Sequence, residues 1–319
     1  MRKSGNSFTA IGCDQAMSID NTLVSVGLPV FNGARYLQQA LDSLVGQTYE
    51  NIELVICDNA STDGTADICH EYQARDKRIR YYLNEENVGA AENYNRCFRL
   101  ARGEYFKWAA HDDVCAPELL ARCVEVLERD PSVVVCFGEQ VDIDERGARL
   151  KKRPYGFDTA LEHPYERFCQ VTRLSGSMPA IFGLMRADVL KRTPLIGKFA
   201  ASDKVLLAEL ALYGRFHELD GILHYTRQHP LRSVRAYPTR QAMTEWFDPT
   251  RKGRIVFPIT RLFVEYFRSV GRAPLDWRTR LRCRMSLLGW LAYHRRGLRG
   301  DAIAAVRQLT RTQLPSRSP

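Results

Sequence analysis

Tyr105-Phe106-Lys107-Trp108-Ala109-Ala110-His111-Asp112-Asp113-Val114 joins an apolar run directly to two adjacent carboxylates. Its first five residues have the aromatic content and length of a buried strand. Pro117, Glu118 and the spacing of Leu119, Leu120, Cys123, Val124 and Leu127 predict a helix just afterwards. The carboxylates therefore stand at the C-terminal end of a strand, where open α/β sheets collect their ligands. Two hard oxygen donors at such a place suit a divalent cation carrying a diphosphate. A solvated Asp-Asp turn leading into the helix is the competing reading of the same pair.

Upstream, residues 23–30 form a strand that is ended by Pro29 and turned by Asn32-Gly33, and a helix with Leu37, Leu41, Leu44 and Val45 on one face follows. Residues 52–57 are a second strand. It closes on Asp58-Asn59-Ala60-Ser61-Thr62-Asp63-Gly64-Thr65, a loop with capping chemistry for the next helix, whose positive end lies near Asp67. Residues 79–83 make a third strand, and residues 84–89 turn into a helix over 90–101. Together with the opening stretch, four strands alternate with helices, the pattern of a parallel, doubly wound sheet.

Downstream, residues 133–137 are another strand, after which the regularity weakens. Polar turns and Lys151-Lys152-Arg153 precede a short helix over 165–174, and residues 181–185 predict a further strand. Ser202-Asp203 caps an amphipathic helix carrying Val205, Leu206, Leu207, Leu210, Ala211 and Leu212. The strand after it ends at Tyr225-Thr226-Arg227-Gln228-His229. About seventy helical residues close the chain, with Leu287, Leu288, Trp290, Leu291 and Tyr293 grouped between arginines.

A chain of 319 residues with 45% hydrophobic content holds one large α/β domain with appendages, or two domains. Its nine cysteines are odd in number and include no C-x-x-C pair, which argues for reduced, buried thiols in a cytoplasmic protein rather than a disulfide framework or zinc site. Residues 1–21 read as a loose leader without the apolar core of a secretory signal, and no run of 18 apolar residues is present. The net charge of +9 is uneven. Residues 251–319 hold 16 Lys and Arg against three acids, a net of +13, so the remaining 250 residues carry −4. An anionic membrane surface or a nucleic acid is the natural partner of such a tail, but the α/β part offers no basic groove for a phosphate backbone.

Residues 24–32, the loop 58–65, Asn87-Val88-Gly89 with Asn93, and the Asp112-Asp113 turn before Pro117 resemble the N-terminal half of family-2 inverting glycosyltransferases of the GT-A fold. The resemblance covers about residues 22 to 230. It implies a Rossmann-like, mostly parallel sheet flanked by helices, with residues 22–138 binding the nucleotide, 139–235 the acceptor, and a basic helical extension over 236–319. In that family the strand-1 turn and the Asp after strand 2 hold the base, here Pro29, Phe31 and Asp58, and the Asn87 and Asn93 motif belongs to the donor site. A D-x-D motif holds Mn²⁺ or Mg²⁺ and the diphosphate. Ala110 falls where the first Asp of that pattern usually stands, which leaves Asp112 as the direct ligand and Asp113 in support. Tyr225-x-Arg227-x-His229 is similar to the segment that closes over the diphosphate, with Arg227 on phosphate and His229 on metal or phosphate.

The resemblance implies transfer of a sugar from a UDP-, GDP- or dTDP-sugar to a saccharide or lipid-linked acceptor. Inversion needs a base on the face away from the nucleotide, and Asp203 stands where the family carries an acidic residue, with Asp188 and Glu209 as alternatives. Read instead as a helix cap, Asp203 has no chemistry. A nucleotidyltransferase also fits a nucleotide-binding sheet with a metal, but Pro29-Val30-Phe31-Asn32-Gly33 lacks its Gly-rich basic loop. A non-catalytic module using the basic tail is the third class. The tail itself has two readings: an interfacial helix with Trp290 and Tyr293 near lipid headgroups and each arginine worth about 1 kcal/mol on anionic lipid, or packing of Leu287, Leu288 and Leu291 on the domain.

Overall fold

The computed structural model describes residues 22–152, 158–174 and 178–313, so the leader expected over residues 1–21 lies outside it. Strands and helices alternate from the start: β1 (Val24–Val30), α1 (Ala34–Val45), β2 (Ile52–Asp58), α2 (Thr65–Arg75), β3 (Ile79–Leu83), α3 (Ala90–Leu100) and β4 (Tyr105–Trp108). Every residue of β1, β2 and β4 is buried, as continuous apolar strands covered on both faces must be. Then come β5 (Val114–Cys115), α4 (Leu119–Arg129), β6 (Val133–Ile143), β7 (Arg149–Lys152), α5 (Pro164–Arg173), β8 (Leu184–Arg186), α6 (Ala187–Leu190), α7 (Ser202–Tyr213) and β9 (Arg215–Arg227). The chain closes with α8 (Ser233–Ala236), α9 (Arg240–Phe247), α10 (Pro258–Arg272), α11 (Trp277–Tyr293) and α12 (Arg295–Gln313).

Among the described residues one sheet runs in the order β3-β2-β1-β4-β8-β6-β9-β5, with β7 beside β6. The half built from β1 to β4 is parallel. Past β4 the sheet is mixed, because β8 runs antiparallel to both β4 and β6 while β6 and β9 are parallel. Strand alternation divides the core between the two faces: Ile52, Leu54 and Ile56 join one cluster with Leu37, Leu41 and Val124, and Val55 and Cys57 join the other with Trp108, Phe168 and Leu206. Eight cysteines are buried free thiols.

Three local expectations are corrected. Residues 181–185 are not one strand: a 3₁₀ turn over Pro179–Phe182 precedes the three-residue β8. Its Phe182 carbonyl accepts from the buried Lys107 ammonium instead of a ladder partner. Strand β6 runs six residues past Phe137, because Glu139, Gln140 and Asp142 pair with Ile222, His224 and Thr226 of β9. Helix α7 is not capped by Ser202-Asp203. Its N-cap is Ala201 in left-handed conformation with no side-chain cap, and the helix is buried on nearly every side rather than amphipathic.

Helices α10 and α11 complete the core instead of standing apart from it. Tyr266, Val270, Cys283, Leu287 and Trp290 share one cluster with Phe168 and Leu206, and Arg272 reaches the buried Glu209 of α7 through two hydrogen bonds of 2.8 and 2.5 Å. Trp290, expected at headgroup level, is buried and donates its indole N–H to the Thr172 carbonyl at 3.1 Å. Leu287 is buried and Leu291 partly so, whereas Leu288 and Tyr293 are exposed.

Candidate active site

Outside the C-terminal ends of β1 and β4 lies a cleft of about 460 Å³. Of the residues singled out in the sequence, Pro29, Phe31, Asn87, Asn93, Asp112, Asp113 and His229 line it. Two glycines permit the close packing of its walls. A Cβ on Gly33 would meet Val30 and His111 at 2.6 and 2.7 Å, and Gly89, at φ +84°, lies where a Cβ would meet Pro249 and the Phe247 carbonyl at 2.5 and 2.7 Å. The second contact seats the α9 end, with Trp246 and Glu245, against the cleft. Asn59 and Asn84 lock the Asn87 loop from behind: the Asn59 amide donates to Asn87 Oδ1 at 2.8 Å, and the Asn84 amide donates to both Asn59 and Asn93.

The two carboxylates of the β4 turn are held differently. Pairing of β5 with β9 sets Cys115 opposite His224, and this brings His224 Nε2 to 3.0 Å from Asp113 Oδ2 while the Arg227 backbone N–H donates to Asp113 Oδ1 at 2.9 Å. Both Asp113 oxygens are thus committed inside the protein. Burial would lower the affinity of His224 for its proton, yet the Asp113 carboxylate and Cys115 override it and push the imidazole up to about 9. Asp112 instead faces the cleft, with Oδ2 at 2.8 Å from His229 Nε2. Burial alone would raise its pKa, but His111, His229 and Arg232 outweigh it and hold the carboxyl at about 2, below its ordinary 3.8.

A divalent ion fits this pair in a specific way. Among the described residues no group of three or more His, Cys, Asp and Glu side chains could hold a metal ion. Asp112 and His229 supply one hard oxygen and one imidazole, so the remaining positions must come from a ligand and water, the arrangement usual for an ion shared with a diphosphate. His229 is buried and its Nδ1 has no hydrogen-bond partner. In this arrangement Nε2 donates to the ionised Asp112, so an ion binding there would take the place of that proton and leave the ring proton on Nδ1.

Three of the sequence candidates do not line the cleft. Asp58 is fully buried, its oxygens accepting from the Ser61 backbone N–H and the Tyr81 hydroxyl, both at 2.9 Å. Arg227 lies outside the cleft lining. Its Nε donates to the Asp112 carbonyl, one terminal nitrogen to the carbonyls of Asp144 and Glu145, and the other to Gln39, so the guanidinium braces the turns. Strand β9 ends at Arg227, and the alternation that would put it on the same side as His229 stops there. Arg232, which the sequence reading passed over, lines the cleft instead, as do His111, Tyr94 and Tyr237.

Asp203, partly exposed at the start of α7, carries a charge that reaches Tyr94. Burial raises its pKa, and the backbone N–H and charge of Lys204 offset only part of the rise. The neighbouring Ser202 hydroxyl is buried without a partner, and Ala201 holds φ at 63°. Asn32 and Ala60 also have positive φ beside the cleft turns, so three of the four such non-glycine residues among those described lie within two residues of a candidate site residue. Backbone of this kind costs of order 1–3 kcal/mol per residue and clusters at functional sites. The alternatives to Asp203 have other employment: Glu209 pairs with Arg272, and Asp188 is exposed beside Arg192. His224 was missed in the sequence, where its signal was a titratable residue inside an apolar strand.

The sequence pattern of the family described as Glycosyl transferase family 2 matches residues 25–193, more than half of the chain. This chain belongs to glycosyl transferase family 2. Curated relatives of this family-2 member include an uncharacterized glycosyltransferase of Rickettsia felis, 36% identical over 43% of this chain and 23% of that protein. Another is the glycosyltransferase GlyG of Streptococcus pneumoniae serotype 4, 33% identical over 44% of this chain and 46% of that protein. The Escherichia coli chondroitin synthase is 31% identical over 39% of this chain and 18% of its own length. The matched part thus spans less than half of each of these relatives. Among solved structures, S. aureus TarS 1-349 in complex with UDP-GlcNAc superposes with a TM-score of 0.60 at 19% identity, covering 83% of this chain and 71% of that one. The Pyrobaculum calidifontis mannosyltransferase PcManGT with GDP-Man and Mn²⁺ gives 0.53 at 19% identity, over 92% and 76%. The shared fold is the GT-A type.

Proposed function

We propose that this family-2 member transfers a sugar from a nucleotide-sugar donor to an acceptor hydroxyl with inversion at the anomeric carbon, assisted by a divalent ion. The observation that carries this reading is the Asp112 and His229 pair at the cleft, an ionised carboxylate 2.8 Å from an imidazole whose Nδ1 has no other partner. Pro29 and the half-buried Phe31 wall the end of the cleft where a base would stack, and the Asn59 and Asn87 side chains edge it. Asp58, although its oxygens are occupied, stands at the end of β2 and remains the acceptor for a base N–H if Tyr81 or Ser61 yields. Asp112 and His229 would hold the ion together with the diphosphate, Asp113 keeps Asp112 in place, and Arg232 adds positive charge nearby. When bound, Mn²⁺ or Mg²⁺ neutralises the charge that builds on the departing nucleoside diphosphate.

Asp203 is the base of this mechanism. As the acceptor oxygen bonds to the anomeric carbon and the bond to the diphosphate oxygen breaks, the hydroxyl proton passes to the Asp203 carboxylate, whose raised proton affinity favours that step. The donor is a UDP-, GDP- or dTDP-sugar, a reading supported by UDP-GlcNAc in TarS and GDP-Man in PcManGT, and the acceptor is a saccharide or lipid-linked hydroxyl of a cell-surface glycan. Incubating the chain with a panel of these donors, Mn²⁺ and simple acceptors, and following nucleotide release and product anomeric configuration by NMR, tests the reading. Release with at least one donor, stopped by EDTA and giving inverted product, is the expected result. No release with any donor, or retained configuration, overturns it.

A further inference from the structure

Helix α11 has two apolar faces, and the core uses only one. Cys283, Leu287 and Trp290 are buried against α5 and α10. On the other side Trp277, Leu281, Met285 and Leu288 are 68%, 52%, 56% and 56% exposed. Their spacing of four, four and three residues sets them in one stripe about 17 Å long. At 100° per residue, Arg278 and Arg282 border that stripe on one edge and the half-buried Arg280 and Arg284 on the other. Scattered single apolar residues are ordinary on a soluble surface, but a continuous stripe of four large ones marks an interaction face.

Charge decides the partner. From Trp277 to Arg299 the chain carries seven arginines and no acid. A second copy docking through the same stripe in a twofold arrangement would press these arginines against their equivalents. An anionic lipid surface satisfies both parts: the stripe sinks below the headgroups and the flanking guanidinium groups stay among the phosphates. No described helix is long and apolar enough to cross a membrane, so the contact is one of a helix lying in the interface plane. We propose that the Trp277, Leu281, Met285 and Leu288 face of α11 docks the protein on an anionic membrane surface. The face differs from the one the sequence pointed to, since Trp290 belongs to the core. The inference stands apart from the sugar-transfer reading, because vesicle binding needs no donor.

Flotation of the full chain with vesicles of phosphatidylglycerol and phosphatidylcholine, against phosphatidylcholine alone, tests it. The wild type should float with the anionic vesicles only. The triple variant Leu281→Gln, Met285→Gln, Leu288→Gln, altered at exposed positions and checked for an unchanged melting temperature, should lose about tenfold or more in binding. Arg278→Gln with Arg282→Gln should weaken binding and reduce its salt dependence. The proposal fails if the wild type does not float or if the triple variant binds undiminished. It fails also if sedimentation shows a wild-type dimer that the triple variant dissociates, which would assign the face to a second copy.

Discussion

The end of β4 and the start of α7 each hold a carboxylate near the cleft, and they treat it in opposite ways. Asp112 is surrounded by His111, His229 and Arg232, which hold its proton affinity far down. Asp203 is half-buried with only Lys204 and backbone N–H groups to offset desolvation of its carboxyl, and its proton affinity rises. Environments that push two carboxyl groups apart divide the work between them: one stays a permanent anion suited to an ion and diphosphate, the other becomes a group able to take a proton.

The largest expected effect of breaking this contrast is on turnover. Asp112→Asn removes the turn carboxylate that pairs with His229 and should cost several kcal/mol of transition-state stabilisation, about 10³-fold or more in kcat/KM. Asp203→Asn should lower turnover by about 10²-fold or more while leaving nucleotide affinity intact. With Asp112 held at about 2, an acid limb of the pH-rate profile lying above 3.8 is the outcome expected if Asp203 is the base. An acid limb that persists unchanged in Asp203→Asn would contradict that assignment.

Stability should separate the two residues by sign. The folded pKa of Asp112 is depressed, so its charge stabilises the fold above pH 3.8 and that contribution fades as pH falls towards about 2. Asp112→Asn at pH 7 should therefore lose on the order of 2 kcal/mol. The folded pKa of Asp203 is raised, so its ionisation costs stability as pH rises, and Asp203→Asn should melt at the same temperature or higher at pH 7. Glu209, two turns further along α7, is buried too but paired, and Arg272→Ala would leave it uncompensated, at about 3–5 kcal/mol by thermal melting. Small and equal effects from all three variants would show that the environments differ less than described.

What the sequence disclosed follows from how local each signal is. The four parallel strands are apolar runs flanked by turn residues, and Asn32-Gly33 and the 58–65 loop carry their geometry in their own side chains. The C-terminal part of β6 was hidden because Glu139, Gln140 and Asp142 are polar and are strand residues only through their pairing with β9. Seven of the ten cleft candidates could be read from motif position. Arg227 could not, since its employment depends on carbonyls at Asp112, Asp144 and Glu145 and on Gln39, brought together only by the fold. His224 and the buried Lys107 act through partners as distant in sequence as Asp113 and Phe182. The exposed stripe of α11 was likewise entangled with the buried one, because both are apolar and only packing tells them apart.

The central claim is that Asp112 and His229 form half of an ion site whose other half is the donor diphosphate. Calorimetric titration of UDP and GDP into the full chain, with Mn²⁺ and again with EDTA, tests it most directly. Mn²⁺ should tighten binding of at least one nucleotide by about tenfold or more, and that gain should vanish in Asp112→Asn and His229→Ala while the metal-free affinity persists. Equal nucleotide affinity with Mn²⁺ and with EDTA, or a gain from Mn²⁺ that survives both substitutions, would contradict it.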